Sequence, residues 1–174
     1  MGRLLRRGFL GLVLTGLAFW TLAPAAAVSG ELVNFRQLMP FVDLKLKGWE
    51  MAEKPSGTTM KHQNIQMSEA KASYRSGDKT LNIVILDFLG QTIPWLASMP
   101  QMEMESSEEV LRTTKVGDFK ALENYKFKDK HGELNISVGD RFWVKLEGSG
   151  IDNTEPLKAA AQQMDLQKLA ALAK

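Results

Sequence analysis

Apolar and polar residues alternate along most of the chain between residues 66 and 148, and this two-residue period is typical of β-strands. The strands that it predicts are Gln66–Tyr74, Thr80–Phe88, Val110–Lys115, Phe119–Phe127 and Glu133–Val138, with a further strand from Phe142. The centre of Thr80–Phe88 is apolar on both faces. That pattern predicts a strand in the middle of the sheet, covered on both sides.

The turn before the last strand can be predicted from register, because side chains change face at every residue. The apolar residues that must share one face are Leu134, Ile136, Val138, Phe142, Val144 and Leu146. A two-residue loop at 139–140 would instead bring Arg141, Trp143 and Lys145 onto that face. A three-residue loop, 139–141, pairs Val138 with Phe142 and keeps the apolar face intact.

Helical spacing of apolar residues marks both ends of the chain after residue 30. Glu31–Met39 has this spacing, and Pro40 is expected to end the helix. Near the carboxyl end, Thr154 is a candidate N-cap, and a phase slip at Asp165 predicts a kink or a new N-cap there.

These elements predict one globular domain over residues 28–174. Its fold class is α+β, with a mainly antiparallel sheet of about five to seven strands. A short N-terminal helix and a C-terminal helix are expected to pack on the sheet.

The first 27 residues have the features of a cleaved signal peptide. Three arginines and no acid precede an apolar run from Gly8 to Leu22, and Ala25 and Ala27 form an A-x-A cleavage site. A membrane anchor would need about 20 apolar residues, and Pro24 ends the run too early. We therefore expect a periplasmic or secreted protein. The Sec route is expected, and the twin-arginine route is the alternative because residues 6–10 read R-R-G-F-L.

The net charge changes sign once this segment is removed. The whole chain carries 22 Lys and Arg against 20 Asp and Glu, a net charge of +2. Without Arg3, Arg6 and Arg7 the balance becomes 19 against 20, or −1. A nearly neutral domain is not expected to bind nucleic acid, or to contact membranes except during export. The absence of cysteine excludes disulfides and a thiolate nucleophile.

Several short segments of the mature chain form a recognisable order. They are Leu38-Met39-Pro40, Gly48-Trp49, 73–79 (SYRSGDK), Gly132-Glu133-Leu134, 141–144 (RFWV), 147–150 (EGSG) and 164–169 (MDLQKL). In order and spacing they resemble a group of small exported bacterial proteins of uncharacterised function. The resemblance covers nearly the whole mature chain. It implies export and a shared fold, and it implies no activity.

The segment Gln91–Met104 is the first candidate for binding. Ile93, Trp95, Leu96 and Met99 could form an apolar lip for a periplasmic protein or a small-molecule ligand. The alternative is a helix laid over the sheet with Trp95 in the core. The first hypothesis is therefore a non-enzymatic binding module without a cofactor.

Methionines in the same segment give a second hypothesis. Met99, Met102 and Met104 have the spacing of thioether ligands for Cu(I), so copper is the alternative cofactor. Met60, His62 and Met67 would add ligands if the fold brought them near. Methionine also commonly fills gaps in a core, which is the structural alternative.

No catalytic motif stands out in the sequence. A Gly-rich phosphate loop, H-E-x-x-H and G-x-S-x-G are all missing. His62 and His131 are the only two histidines, and each is expected to be a solvated surface residue, His131 in a hairpin tip. The chain is therefore expected not to be an enzyme. A hydrolase is the third hypothesis, and it would require a histidine placed against a serine or a carboxylate.

Overall fold

A single antiparallel sheet organises the computed structural model, which describes residues 31–62, 65–89, 96 and 98–173. The strands are β1 (Glu50–His62), β2 (Ile65–Ser76), β3 (Lys79–Asp87), β4 (Glu103–Glu105), β5 (Glu109–Val116), β6 (Phe119–Lys126), β7 (His131–Val138) and β8 (Phe142–Ser149). The helices are α1 (Phe35–Val42), α2 (Glu155–Gln163) and α3 (Leu166–Ala171). The candidate signal peptide, residues 1–27, lies outside the described residues.

The sheet has eight strands in the order β1-β2-β3-β8-β7-β6-β5-β4, so the expected five to seven is too few. The sequence pattern missed the two edge strands. β4 has three residues, all exposed. In β1 half-buried and exposed residues alternate from 55 to 60, but the half-buried ones are Pro55, Gly57 and Thr59, so the sequence shows no apolar alternation. Pro55 and Gly57 also make β1 look like a loop. The register of β1 shifts between Met51 and Ser56, as expected for an edge strand that carries proline.

β3 lies inside the sheet, between β2 and β8, as its sequence predicts. Within the described residues, however, only one of its faces is fully buried. Leu81, Ile83 and Ile85 are fully buried, whereas Val84 and Leu86 on the other face are only half-buried. In this part of the chain the predicted cover on both sides is not found, because Val84 and Leu86 remain partly exposed beside polar neighbours.

The covered face carries the core. Buried residues of α1, α2 and α3 belong to the same apolar cluster as those of β2, β3 and β5–β8. Gly132 and Gly148 lie opposite each other on this face. A Cβ atom at Gly148 would lie 2.7 Å from Ile151 Cδ1 and 3.0 Å from Leu157 Cδ2. The two glycines thus leave room for Ile151 and for α2.

The helix boundaries correct one prediction and confirm another. Pro40 lies inside α1, which begins after the N-cap Asn34 and continues to Val42. Since Phe41 and Val42 are buried, their packing offsets the hydrogen bond that proline cannot donate. The break at Asp165 is confirmed, because its carboxylate accepts a hydrogen bond from the Lys168 N–H at 3.0 Å and starts α3.

The predicted three-residue loop between β7 and β8 is also confirmed. Val138 pairs with Phe142, which leaves residues 139–141 as the loop. Gly139 and Asp140 adopt positive φ angles of 60° and 51° there. Among the residues that the structure describes, no helix is long and apolar enough to cross a membrane.

Candidate functional site

The uncovered side of the sheet, which we call the open face, is the first candidate surface. Its central members are Lys71, Asn82, Val84, Leu86, Glu133, Asn135, Trp143, Lys145 and Glu147. They come from β2, β3, β7 and β8, at positions that alternate with the core residues. Apolar and charged side chains of both signs are therefore mixed on this face.

Trp143 occupies a fixed position on the open face. Its indole N–H donates a hydrogen bond to Asn135 Oδ1 at 3.0 Å, and Asn135 is itself buried. Leu86 lies directly opposite Trp143 on β3, and both side chains are half-buried. The register argument already put Trp143 on the polar side of β8. An aromatic residue at such a position was the signal that could have identified it.

A shallow groove of about 390 Å³ runs along the open face beside β1. Its charged and apolar lining includes Glu53, Lys54, Lys71, Asn82, Val84 and Glu147. The irregular stretch of β1 between Met51 and Ser56 forms one wall. The groove is thus a polar surface feature and not an enclosed apolar cavity.

A cluster of ionisable groups adjoins the groove at the start of β7. His131 Nε2 lies 3.5 Å from Glu133 Oε1, and its Nδ1 lies 3.2 Å from Ser149 Oγ. Lys145 pairs with Glu147, and its Nζ lies 3.7 Å from Glu133 Oε2. The expectation that His131 is a solvated residue in a hairpin tip is wrong, because it begins a strand and is only half-exposed. His62 is exposed, as expected.

Lys145 is charged in this cluster. Burial alone would lower the pKa of its ammonium group, but hydrogen bonds and charge interactions with Glu147 and Glu133 outweigh burial and raise the pKa. Lys145 therefore contributes a positive charge to this cluster at neutral pH.

The contacts of His131 meet the first condition of the hydrolase hypothesis, a histidine beside a serine and a carboxylate. Acyl transfer also needs free N–H groups that stabilise an oxyanion. Ser149 pairs with Thr80 on one side and His131 on the other, and the nearby Ile151 N–H donates to Lys130 O. The backbone beside Ser149 is therefore paired within the sheet, and the Ile151 N–H is already used by Lys130 O.

Two buried carboxylates lie on the covered side and have structural roles. Asp87 is 0% exposed and accepts hydrogen bonds from Arg141 Nε and Nη2 at 3.0 and 2.8 Å, and from the Val33 and Leu89 N–H groups, both at 2.9 Å. Arg141, 2% exposed, also donates to Glu31 O at 2.6 Å. We call these contacts of Arg141 with Asp87 and Glu31 O the latch. The sequence pattern placed Arg141 in the loop and did not predict its buried partners.

The second buried carboxylate, Glu123 on β6, joins β5 to the start of α2. It accepts hydrogen bonds from Arg112 Nη2 at 3.0 Å, Lys158 Nζ at 3.1 Å and the Thr154 hydroxyl. Burial would raise the pKa of Glu123, but these three donors outweigh burial and lower it. The hydroxyl of Thr154, the predicted N-cap, is thus used by Glu123 and does not cap α2.

The segment that the sequence proposed for binding is described only in part. Ile93 and Trp95 lie outside the described residues. Leu96 is 1% exposed, so its side chain cannot touch a ligand in this conformation, and Met99 is half-buried. Lys120 Nζ donates to Met99 O at 2.6 Å, which anchors the segment on β6.

The other two methionines lie at the edge of the sheet. Met102 is bound through its backbone to Thr113 on β5, and Met104 on β4 lies opposite Leu111 and is 42% exposed. The additional candidate ligands Met60, His62 and Met67 belong to β1 and β2, at the opposite edge. The sheet order does not bring the two groups together.

Taken together, the described residues define an α+β protein with one antiparallel sheet of eight strands. Comparison of the chain with protein-family models, curated proteins and solved structures gives no match.

Proposed function

We propose that the chain is an exported, non-enzymatic binding module that binds a segment of a partner polypeptide on its open face. The observation that supports this most directly is Trp143, an aromatic side chain that is accessible and already held in place by Asn135. Aromatic residues are common anchors of protein interfaces. A side chain that is fixed before binding loses less conformational entropy when a partner arrives.

The surroundings of Trp143 favour a polypeptide as the occupant. Leu86 and Val84 extend an apolar strip from the indole, and Lys71 and Glu147 supply charges of both signs beside it. Small-molecule sites are usually concave and largely apolar. A shallow polar groove next to an apolar strip suits an extended peptide with an apolar side chain between polar ones.

The segment that contains Trp95 and Met99 is proposed as a second part of the same surface. Support comes from the anchoring of Met99 to Lys120 on β6, which fixes this part of the segment to the sheet. Export is proposed from the signal-peptide features of residues 1–27.

Selection of a random-peptide display library against the purified chain tests the binding proposal. We expect peptides whose affinity falls about tenfold or more in Trp143→Ala, the scale of an interface anchor. Phe127→Ala is the matched control, since Phe127 is an exposed aromatic residue (42%) in the β6–β7 turn. Selected peptides that bind wild type and Trp143→Ala equally would contradict the proposal. A small molecule that binds in the groove when no selected peptide binds there would also contradict it.

The same peptides test the second part of the surface. Trp95→Ala should weaken binding more than it weakens folding. A loss of about 3–5 kcal/mol in the free energy of unfolding, the range for a buried aromatic residue, would instead place Trp95 in the core.

Export is tested by expressing the whole chain in a bacterial host. Protein recovered from the periplasmic fraction with its amino terminus at Val28 would support export. Recovery only from the cytoplasm, with residues 1–27 intact, contradicts it.

Cu(I) handling is the alternative function, and one observation favours it. Met104 is exposed at the sheet edge, and Met102 lies two residues before it, so their side chains point to the same side of an extended chain. Under anaerobic titration, wild type should bind Cu(I) more tightly than a variant with Met99, Met102 and Met104 replaced by leucine. Equal affinities would eliminate this function.

A further inference from the structure

Three side chains with metal-ligating atoms converge at the end of the open face where β7 begins. His131 and Glu133 lie two residues apart on β7 and therefore point to the same side. Glu147 on β8 is directly opposite Glu133, and Ser149 is directly opposite His131. Side chains at such opposite positions start about 4.5–5.5 Å apart at Cβ. The sheet register alone thus brings the three together.

The donor atoms are already close to a coordination geometry. One nitrogen of His131 and one oxygen from each glutamate lie within 4.8 Å of one another. In a tetrahedral zinc site, with bonds of about 2.0–2.1 Å, ligand atoms lie about 3.3 Å apart. His131 Nε2 and Glu133 Oε1, at 3.5 Å, nearly meet this distance. All three side chains are partly exposed, so rotamer changes without backbone movement can shorten the other donor-atom distances to this value.

We propose that His131, Glu133 and Glu147 bind a divalent transition-metal ion, for which Zn²⁺ is the suitable probe. The hydrogen bonding of the imidazole supports this. When Nδ1 donates its proton to Ser149 Oγ, 3.2 Å away, Nε2 turns a lone pair toward the Glu133 carboxylate. A cation between the nitrogen and the oxygen removes their repulsion. Metal-bound histidines usually donate their second N–H to a neighbour in this way.

The donor set also indicates which metals fit. One imidazole nitrogen and two carboxylate oxygens suit Zn²⁺, with at least one position left for water. Mg²⁺ and Ca²⁺ prefer oxygen ligands throughout and should bind much more weakly here. Thioethers are absent from this cluster, so it differs in chemistry from the methionine group.

Lys145 is the internal competitor for this site. Its ammonium group pairs with Glu147 and lies 3.7 Å from Glu133 Oε2, so it supplies the positive charge that a metal would replace. The side chain is long and partly exposed, and it can swing away as the ion enters. Removing this charge should therefore strengthen metal binding.

Isothermal titration of the purified chain with Zn²⁺ in chelator-treated buffer tests the proposal. We expect one equivalent to bind to wild type. Ser149→Ala should lower the affinity about tenfold, as for the hydrogen-bond partner of a ligating histidine, and His131→Ala and Glu147→Gln should lower it further. Lys145→Met should bind Zn²⁺ more tightly than wild type, and weaker binding would contradict its role as competitor.

His62→Ala is the matched control, because it removes the other histidine of the chain and should leave the affinity unchanged. Unfolding temperatures separate binding from misfolding: Zn²⁺ should raise that of wild type and leave that of His131→Ala unchanged. Absence of binding, equal binding by His131→Ala, or equal binding of Mg²⁺ would overturn the proposal. Glu147 borders both surfaces, but Trp143 lies four residues before it on β8, about 13 Å away. The two tests are therefore distinguishable: peptide binding through Trp143 can be refuted while Zn²⁺ binding is confirmed, and Zn²⁺ binding can be refuted while peptide binding is confirmed.

Discussion

Replacing Arg141 by methionine should lower the free energy of unfolding by about 3–5 kcal/mol, the range for a buried ion pair that loses one partner. Methionine fills much of the same space but leaves the Asp87 carboxylate, 0% exposed, with only the two backbone donors Val33 and Leu89. It also removes the donor to Glu31 O. Urea unfolding followed by circular dichroism measures the loss.

Arg75→Met is the control, since Arg75 is an exposed arginine on β2 and its replacement should change stability little. Combining Arg141→Met with Asp87→Asn should cost less than the two single losses together, because the second change removes the charge that the first leaves unpaired. An Arg141→Met variant as stable as wild type would show that the latch contributes nothing to the fold.

Replacing Glu123 by glutamine should make the protein less stable at neutral pH and change how its stability depends on pH. The pKa of Glu123 is lowered in the folded protein from its ordinary value of 4.5. Its contribution is therefore fully present above about pH 4.5 and is lost as the pH falls through the folded pKa. At pH 7 the variant should lose about 1.5–3 kcal/mol, the scale of hydrogen bonds to a charged group. Below the folded pKa, wild type and Glu123→Gln should have nearly the same free energy of unfolding.

Urea unfolding at several values between pH 7 and pH 3 measures both effects. Glu155→Gln is the matched control, because Glu155 binds the same Lys158 at 3.0 Å from a largely exposed position. It should leave the pH profile almost unchanged. A gap between Glu123→Gln and wild type that stays constant down to pH 3 would mean that the charge of Glu123 is not what stabilises this region.

Much of the fold could be predicted because burial follows the two-residue period on one face. Ile83 and Ile136 are fully buried where alternation put them, and the pairing of Val138 with Phe142 followed from keeping apolar residues together. The edge strand β1 could not be found this way. Its half-buried positions hold Pro55, Gly57 and Thr59, so no apolar residues alternate with its polar ones.

The candidate sites were harder, because they depend on residues far apart in the sequence. The cluster of His131 and Glu147 forms only when β7 and β8 pair, and composition near His131 indicated a turn. The partner of Asp87 is Arg141, 54 residues later. Local patterns carry no information about such pairs. Trp143 is the exception, since its position on the polar side of β8 could be read from register alone.

The latch between Glu31 and Arg141 spans 110 residues, and this separation affects the order in which the chain is completed. A chain that crosses a membrane amino terminus first, as in the proposed Sec export, delivers Glu31 long before the turn at 139–141. Until that turn arrives, the amino-terminal segment has no buried arginine to bind. The hydrogen bond from Arg141 to Glu31 O would then form as one of the last steps of folding.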